Sequence, residues 1–175
     1  KKDVDFAKSI GCAGVMIGRG SMGNPEIFCN LKDTTPPYSK KEAIKKHLDE
    51  KGVEYIDCGT YSEESIDYAP IAKATCEKVT SGECDKAILC CGTGIGISMA
   101  ANKVKGIRAA CCSDYFSAKF TRLHNDANVL CMGARVIGGG AACELVDVFL
   151  STEFEGGRHQ RRVDQIMAIE NGEIL

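Results

Sequence analysis

Residues 86–102 read Lys86-Ala-Ile-Leu-Cys-Cys-Gly-Thr-Gly-Ile-Gly-Ile-Ser-Met-Ala-Ala-Asn102. An apolar run ends on Cys91, a loop with glycines at 92, 94 and 96 follows, and the remainder has helical composition. Alternating glycines let the backbone turn tightly and aim consecutive N–H groups at one point, to which a following helix adds its positive end. Cys91 would stand just before those donors, where a thiolate is stabilised. The same residues also fit a buried cysteine closing a core strand before an ordinary strand-to-helix loop. The local pattern leaves both readings open.

Outward from this stretch, strand-like and helix-like segments alternate. Residues 39–52 predict an amphipathic helix, with Ser39 and Glu42 as a capping box, Ala43, Ile44, His47 and Leu48 on one side and Gly52 at the end. Strands are predicted at 53–58, 87–91, 107–112 and 128–132, with helices at 68–81, 95–102, 115–123, 141–150 and 161–169. Such alternation with short apolar strands predicts an α/β fold, a doubly wound, Rossmann-like parallel sheet of about five strands with helices on both faces. Ligands of such sheets bind at the carboxyl ends of the strands. Cys91, Ser113-Asp114 and Gly133-Ala134-Arg135 all fall at such ends.

Composition narrows the function classes. The 175 residues suit one domain, and a net charge of −2 with both signs dispersed carries no footprint for nucleic acid or an acidic membrane surface. No apolar stretch reaches the roughly 18 residues of a membrane span, and no signal-like start is present, so a cytoplasmic protein is expected. Eleven cysteines, an odd number without a C-x-x-C pair, read as reduced thiols used as small hydrophobes. Cys90/Cys91 and Cys111/Cys112 are strand neighbours whose side chains point to opposite faces, which suits neither a disulfide nor a metal clamp.

From Tyr38 to about Glu170 the chain closely resembles the type B ribose-5-phosphate isomerases and their galactose-6-phosphate and allose-6-phosphate relatives. The resemblance rests on five ordered blocks. They are Gly59-Thr60-Tyr61-Ser62, the run Cys91 to Ser98 leading into Ala100-Ala101-Asn102-Lys103, Gly106-Ile107-Arg108-Ala109, His124-Asn125-Asp126, and Glu155-Gly156-Gly157-Arg158-His159 with Arg162. It implies interconversion of an aldose phosphate and a ketose phosphate through an enediolate, which needs a base, oxyanion donors, a ring-opening acid and cations for the phosphate. By resemblance Cys91 is the base, Thr93 a further catalytic residue, and the backbone of Gly92, Gly94, Ile95 and Gly96 the oxyanion hole. His124 matches the ring-opening acid, a role suited to imidazole, and Asn125 a sugar-hydroxyl ligand. Arg135, Arg158 and Arg162 match phosphate-binding arginines, whose guanidinium forks fit phosphate oxygens. The resemblance implies no metal and no organic cofactor. It further implies a homodimer or tetramer in which the base and oxyanion hole of one subunit meet the histidine and arginines of its neighbour.

Residues 1–37 depart from this pattern. Where the family carries a Gly-Cys-Asp-His-like strand end, with an Asp-His pair that contacts the sugar and its phosphate, this chain has Lys32-Asp33-Thr34-Thr35-Pro36-Pro37, placing Thr34 and Thr35 at the pair. The stretch from Ile10 to Phe28, including Gly18-Arg19-Gly20-Ser21-Met22-Gly23-Asn24-Pro25, resembles the last barrel strand and phosphate loop of tRNA-dihydrouridine synthases. So short a piece cannot form a barrel, and neither flavin nor tRNA binding is carried over. The expected organisation is an atypical N-terminal segment at 1–37, whose Gly14 to Gly18 run supplies the first strand, and an isomerase domain at 38–175. A catalytically impaired sugar-phosphate-binding or oligomer-forming homologue is the alternative. A flavin- or nucleotide-binding module is a third reading, weakened because no dinucleotide fingerprint with a distal acidic residue is present.

Overall fold

The computed structural model describes residues 40–61 and 66–174. The expectations for residues 1–37, the tRNA-dihydrouridine-synthase likeness, the first strand at Gly14 to Gly18 and the Ser39 half of the capping box lie outside the described residues.

The elements run in the order α1 (Lys40–Glu50), α2 (Tyr68–Thr80), β1 (Ala87–Cys91), α3 (Ile95–Ala101), β2 (Ala109–Cys111), α4 (Tyr115–Asn125), β3 (Val129–Gly133), α5 (Gly139–Ser151) and α6 (Arg158–Glu170). Among the described residues the sheet has three parallel strands in the order β1-β3-β2. Ala87 pairs with Val129 and Cys91 with Gly133 on one side, and Ala109 pairs with Val129 on the other. The middle strand β3 is buried along its whole length. Its alternating side chains serve two cores. Leu130 and Met132 pack with Ile44 and Leu48 of α1, Ala118 of α4 and Leu145, Val146 and Phe149 of α5. Val129 and Cys131 pack on the other face with Ala72 and Cys76 of α2 and Ile97 and Ala101 of α3. Each fully buried aliphatic side chain of this strand contributes about 1.5–3 kcal/mol of transfer free energy.

The two-faced layering agrees with the sequence reading, and the strand count requires a correction. Residues 53–58, expected as a strand, are irregular, and Val53, Tyr55 and Ile56 are exposed. A strand exists only through a ladder to a neighbour, and among the described residues no strand pairs with this segment. Asp57 ties it instead to α1, with Oδ2 3.0 Å from the Nζ atoms of both Lys41 and Lys45. Oδ1 of Asp57 accepts from the Gly59 N–H at 2.9 Å, and Lys41 also donates to the Thr60 carbonyl at 2.8 Å.

The nine described cysteines are all free thiols. Burial pushes those of Cys76 and Cys112 up to about 11, so they pack as small neutral hydrophobes. Among the described residues no helix is long and apolar enough to cross a membrane.

Candidate active site

The topology divides the expected site residues between the two ends of the sheet. Parallel strands leave at one rim, and each following helix carries the chain back to the other. Cys91 ends β1, and Thr93 and Arg135 follow the exits of β1 and β3, whereas His124 and Asn125 end the return helix α4 and Arg158 follows the return helix α5. At about 1.5 Å per residue, the eleven residues of α4 cover roughly 16 Å. Within one chain, therefore, two groups form at opposite rims.

The first group is built on the exit of β1. The Gly94 N–H donates to Cys91 Sγ at 3.2 Å. Thr93 Oγ1 accepts from the Ile95 N–H at 3.3 Å. Two of the loop's expected oxyanion donors are thus engaged within the loop itself. Gly94 has φ of +80° and caps α3, and a Cβ there would stand 2.8–2.9 Å from the Met132–Gly133 backbone and Cys111 Sγ. Only glycine fits such a left-handed, closely packed position. The β3 exit locks onto the same loop, with the Ala134 N–H donating to the Cys91 carbonyl at 2.8 Å and the Arg135 N–H to the Gly92 carbonyl at 3.1 Å. The exposed Arg135 side chain lies against Gly92. This corrects the expectation that all three arginines face the base from a neighbouring subunit, because Arg135 stands with Cys91 on the same chain. The ring of Tyr68 on α2 covers Gly96. That contact is tertiary and has no local sequence signal.

The second group is built where α4 ends and α6 begins. The Glu155 N–H donates to the Leu123 carbonyl at 3.1 Å, bringing the loop after α5 against the end of α4. Gly156 and Gly157, both at positive φ, then start α6 at Arg158, three residues before the expected position. The His124 ring meets Phe120 edge-on at 4.8 Å and stacks on His159 at 3.9 Å with 5° between the planes. Glu155 Oε2 lies 3.6 Å from Nε2 of His124 and 3.8 Å from Nε2 of His159. His159 is buried at 4 % exposure, and its Nε2 accepts from Arg158 Nε at 3.3 Å. Burial, then His124 and Arg158, holds its imidazole below the usual range. Arg158 and Arg162, four residues apart in α6, are both exposed, as is Asn125. Asn125 also lines an open cavity of about 240 Å³ with Asn102, Arg108 and Thr121, away from Cys91.

The sequence reading left His159 and Glu155 without roles. Their spacing of four residues was visible, but the stack on His124 joins residues far apart in the chain. His124, Glu155 and His159 offer one donor atom each, all within 4.8 Å of one another. Two parallel rings 3.9 Å apart direct their nitrogen lone pairs along separate planes, so one ion cannot lie in both, and Arg158 already occupies Nε2 of His159. The arrangement suits a supported, charge-balanced imidazole better than a cation.

Comparison with known proteins finds relatives over most of the chain. The family described as ribose/galactose isomerase matches residues 35–166. Ribose-5-phosphate isomerase B of Escherichia coli K12 is 53 % identical over 130 residues, covering 74 % of this chain and 87 % of that protein. The structure of Clostridium thermocellum ribose-5-phosphate isomerase B superposes with a TM-score of 0.75 at 50 % identity, covering 77 % of this chain and 91 % of that one. The structure of ribose-5-phosphate isomerase B from Mycoplasma genitalium with bound ribulose 5-phosphate gives a TM-score of 0.72 at 41 % identity, covering 75 % and 88 %.

Proposed function

The chain belongs to the ribose/galactose isomerase family, and from that membership we propose that it interconverts ribose 5-phosphate and ribulose 5-phosphate through an enediolate. The observation that carries the reading is the Cys91 thiol held by the Gly94 N–H at a strand exit, with Arg135 on the same loop. His124 delivers a proton to the ring oxygen of the cyclic aldose as the ring opens and the anomeric hydroxyl gives its proton up to solvent, leaving the C1 aldehyde. Cys91, as thiolate, takes the C2 proton and returns it to C1, with O1 gaining a proton and O2 losing one by exchange with solvent, while the developing oxyanion is held at the glycine loop from Gly92 to Gly96, assisted by Thr93. Arg135, Arg158 and Arg162 bind the phosphate, and Asn125 binds a sugar hydroxyl. No metal or organic cofactor enters this scheme.

The placement of Cys91 and His124 at opposite rims supports a shared site. A proton acceptor and a ring-opening acid serving one five-carbon sugar have to stand within a few ångström of it. Two copies arranged so that the Cys91 rim of one faces the His124 rim of the other meet that requirement, in a homodimer or a tetramer built from it. Exposed apolar side chains beside the Cys91 loop, including Ile95, Met99, Tyr115 and Phe116, supply surface for such an interface. Its free thiols fit a cytoplasmic enzyme.

The test is conversion of ribose 5-phosphate by purified protein beside Cys91→Ala and His124→Ala. Each variant alone loses turnover. A mixture refolded together regains about a quarter of wild-type activity, because half of the random dimers are mixed and each mixed dimer holds one intact site. Retained activity in Cys91→Ala overturns the assignment of the base, and no recovery in the mixture overturns the shared site.

A further inference from the structure

We propose that His159 is a positioning residue for His124: its buried ring forms the flat surface that fixes the plane of the His124 imidazole. The inference rests on the reading of His124 as the ring-opening acid and adds a residue to which no role has been assigned.

The geometry is specific. The His124 side chain leaves the end of α4 31 % exposed, and its own helix does not determine its ring plane. Two contacts do. Phe120, one turn earlier, touches it edge-on, and His159 lies parallel to it at 3.9 Å. His159 is in turn held by its own surroundings. It is buried, its backbone N–H donates to the Gly156 carbonyl at 3.0 Å, and its Nε2 accepts from Arg158. An Nε2 that accepts from a guanidinium carries no proton, which places the proton of His159 on Nδ1 and leaves the ring uncharged. A neutral aromatic face tolerates either protonation state of the imidazole stacked on it, whereas a second imidazolium would repel the charged form. Glu155, within 4 Å of Nε2 of both rings, stands ready to balance the charge when His124 is protonated. An acid that must deliver a proton along one direction to a ring oxygen depends on such orientation.

The experiment compares His159→Phe, which keeps a flat aromatic face, with His159→Leu, which fills the space without one. In the wild type and in His159→Phe, NMR relaxation of the His124 ring C–H groups reports a rigid side chain, and kcat for ribose 5-phosphate stays within about threefold. In His159→Leu the His124 ring becomes mobile by the same measure, and kcat falls about 10- to 100-fold while KM changes little. A His124 ring equally rigid in His159→Leu, or equal loss of kcat in both variants, overturns the proposal. The relaxation readout does not require turnover, so an inactive wild-type protein would count against the isomerase reading without deciding the role of His159.

Discussion

Arg135 and Gly92 are in contact at the exit of the sheet: the guanidinium carbon lies 3.7 Å from where a Cβ on Gly92 would stand, and the Arg135 N–H donates to the Gly92 carbonyl at 3.1 Å. Arg135, proposed above to bind the phosphate, and the thiol loop of one chain are therefore a preassembled unit. Arg135→Gln keeps the backbone hydrogen bond and removes the charge. A charge-assisted contact to phosphate is worth about 1.5–3 kcal/mol, so KM for ribose 5-phosphate rises about 10- to 100-fold while the protein unfolds at an unchanged denaturant concentration. Steady-state kinetics beside urea unfolding checks this, and an unchanged KM would remove Arg135 from the phosphate site.

Gly133 presses on the same loop from below. A Cβ there would meet the carbonyl carbon and oxygen of Thr93 at 2.7 Å and Val136 Cγ2 at 2.6 Å. Backbone cannot yield as a side-chain tip does, so Gly133→Ala displaces the segment between Cys91 and Gly94 and weakens the hydrogen bond to the thiol. The expected cost is about 1–3 kcal/mol of stability, with a fall in kcat of at least about tenfold. Full activity in this variant would show that the loop tolerates a shift of its backbone.

Much of this arrangement can be read along the chain, and the part that cannot has a physical reason. The strand ending on Cys91 and the glycine loop after it are local features, carried by apolar composition and by a position only glycine can occupy. The assignment of residues 53–58 as a strand failed because Val53, Tyr55 and Ile56 give the segment a strand-like apolar composition, yet a ladder needs a partner and pairing is not a local property. The division of Cys91 and His124 between opposite rims follows from connectivity once the strands are known to be parallel. The stack of His124 on His159 was invisible beforehand, because it depends on how the loop after α5 packs beneath the end of α4.

Asp57 makes a pH-dependent contribution to stability. Burial pushes its carboxyl up, but the Gly59 N–H and the Lys41 and Lys45 ammonium groups outweigh that, and its folded value lies below the usual carboxylate range. A depressed folded pKa adds stability that is complete above the unfolded value of about 3.9 and is lost as pH falls through the folded value. Asp57→Asn therefore costs about 1–2 kcal/mol at pH 7, discounted for partial solvent screening, and the difference closes as the pH falls through the folded value of Asp57. Urea unfolding of both proteins across that range gives converging curves, and parallel curves would contradict the ionic role.

Asp126 governs the turn that carries His124. It has φ of 45°, a left-handed conformation that Asp and Asn tolerate better than most residues. Its Oδ2 lies 2.9 Å from Nη2 of Arg108 and its Oδ1 2.8 Å from Nη1 of Arg122, and Arg122 is 5 % exposed. The carboxylate thus sits between two guanidinium groups, one of them buried, immediately after His124 and Asn125. Asp126→Asn retains the backbone conformation and one acceptor but leaves both cations without their counter-charge. Arg122 keeps the carbonyls of Ala127 and Thr152, so the loss is partial, about 1–3 kcal/mol. Because the end of α4 is what this network fixes, kcat falls more than KM rises, by about tenfold. Asp126→Ala adds the strain of a left-handed alanine and destabilises by about 1 kcal/mol more. If Asp126→Asn lost stability without any change in kcat, the network would hold the fold but not the orientation of His124.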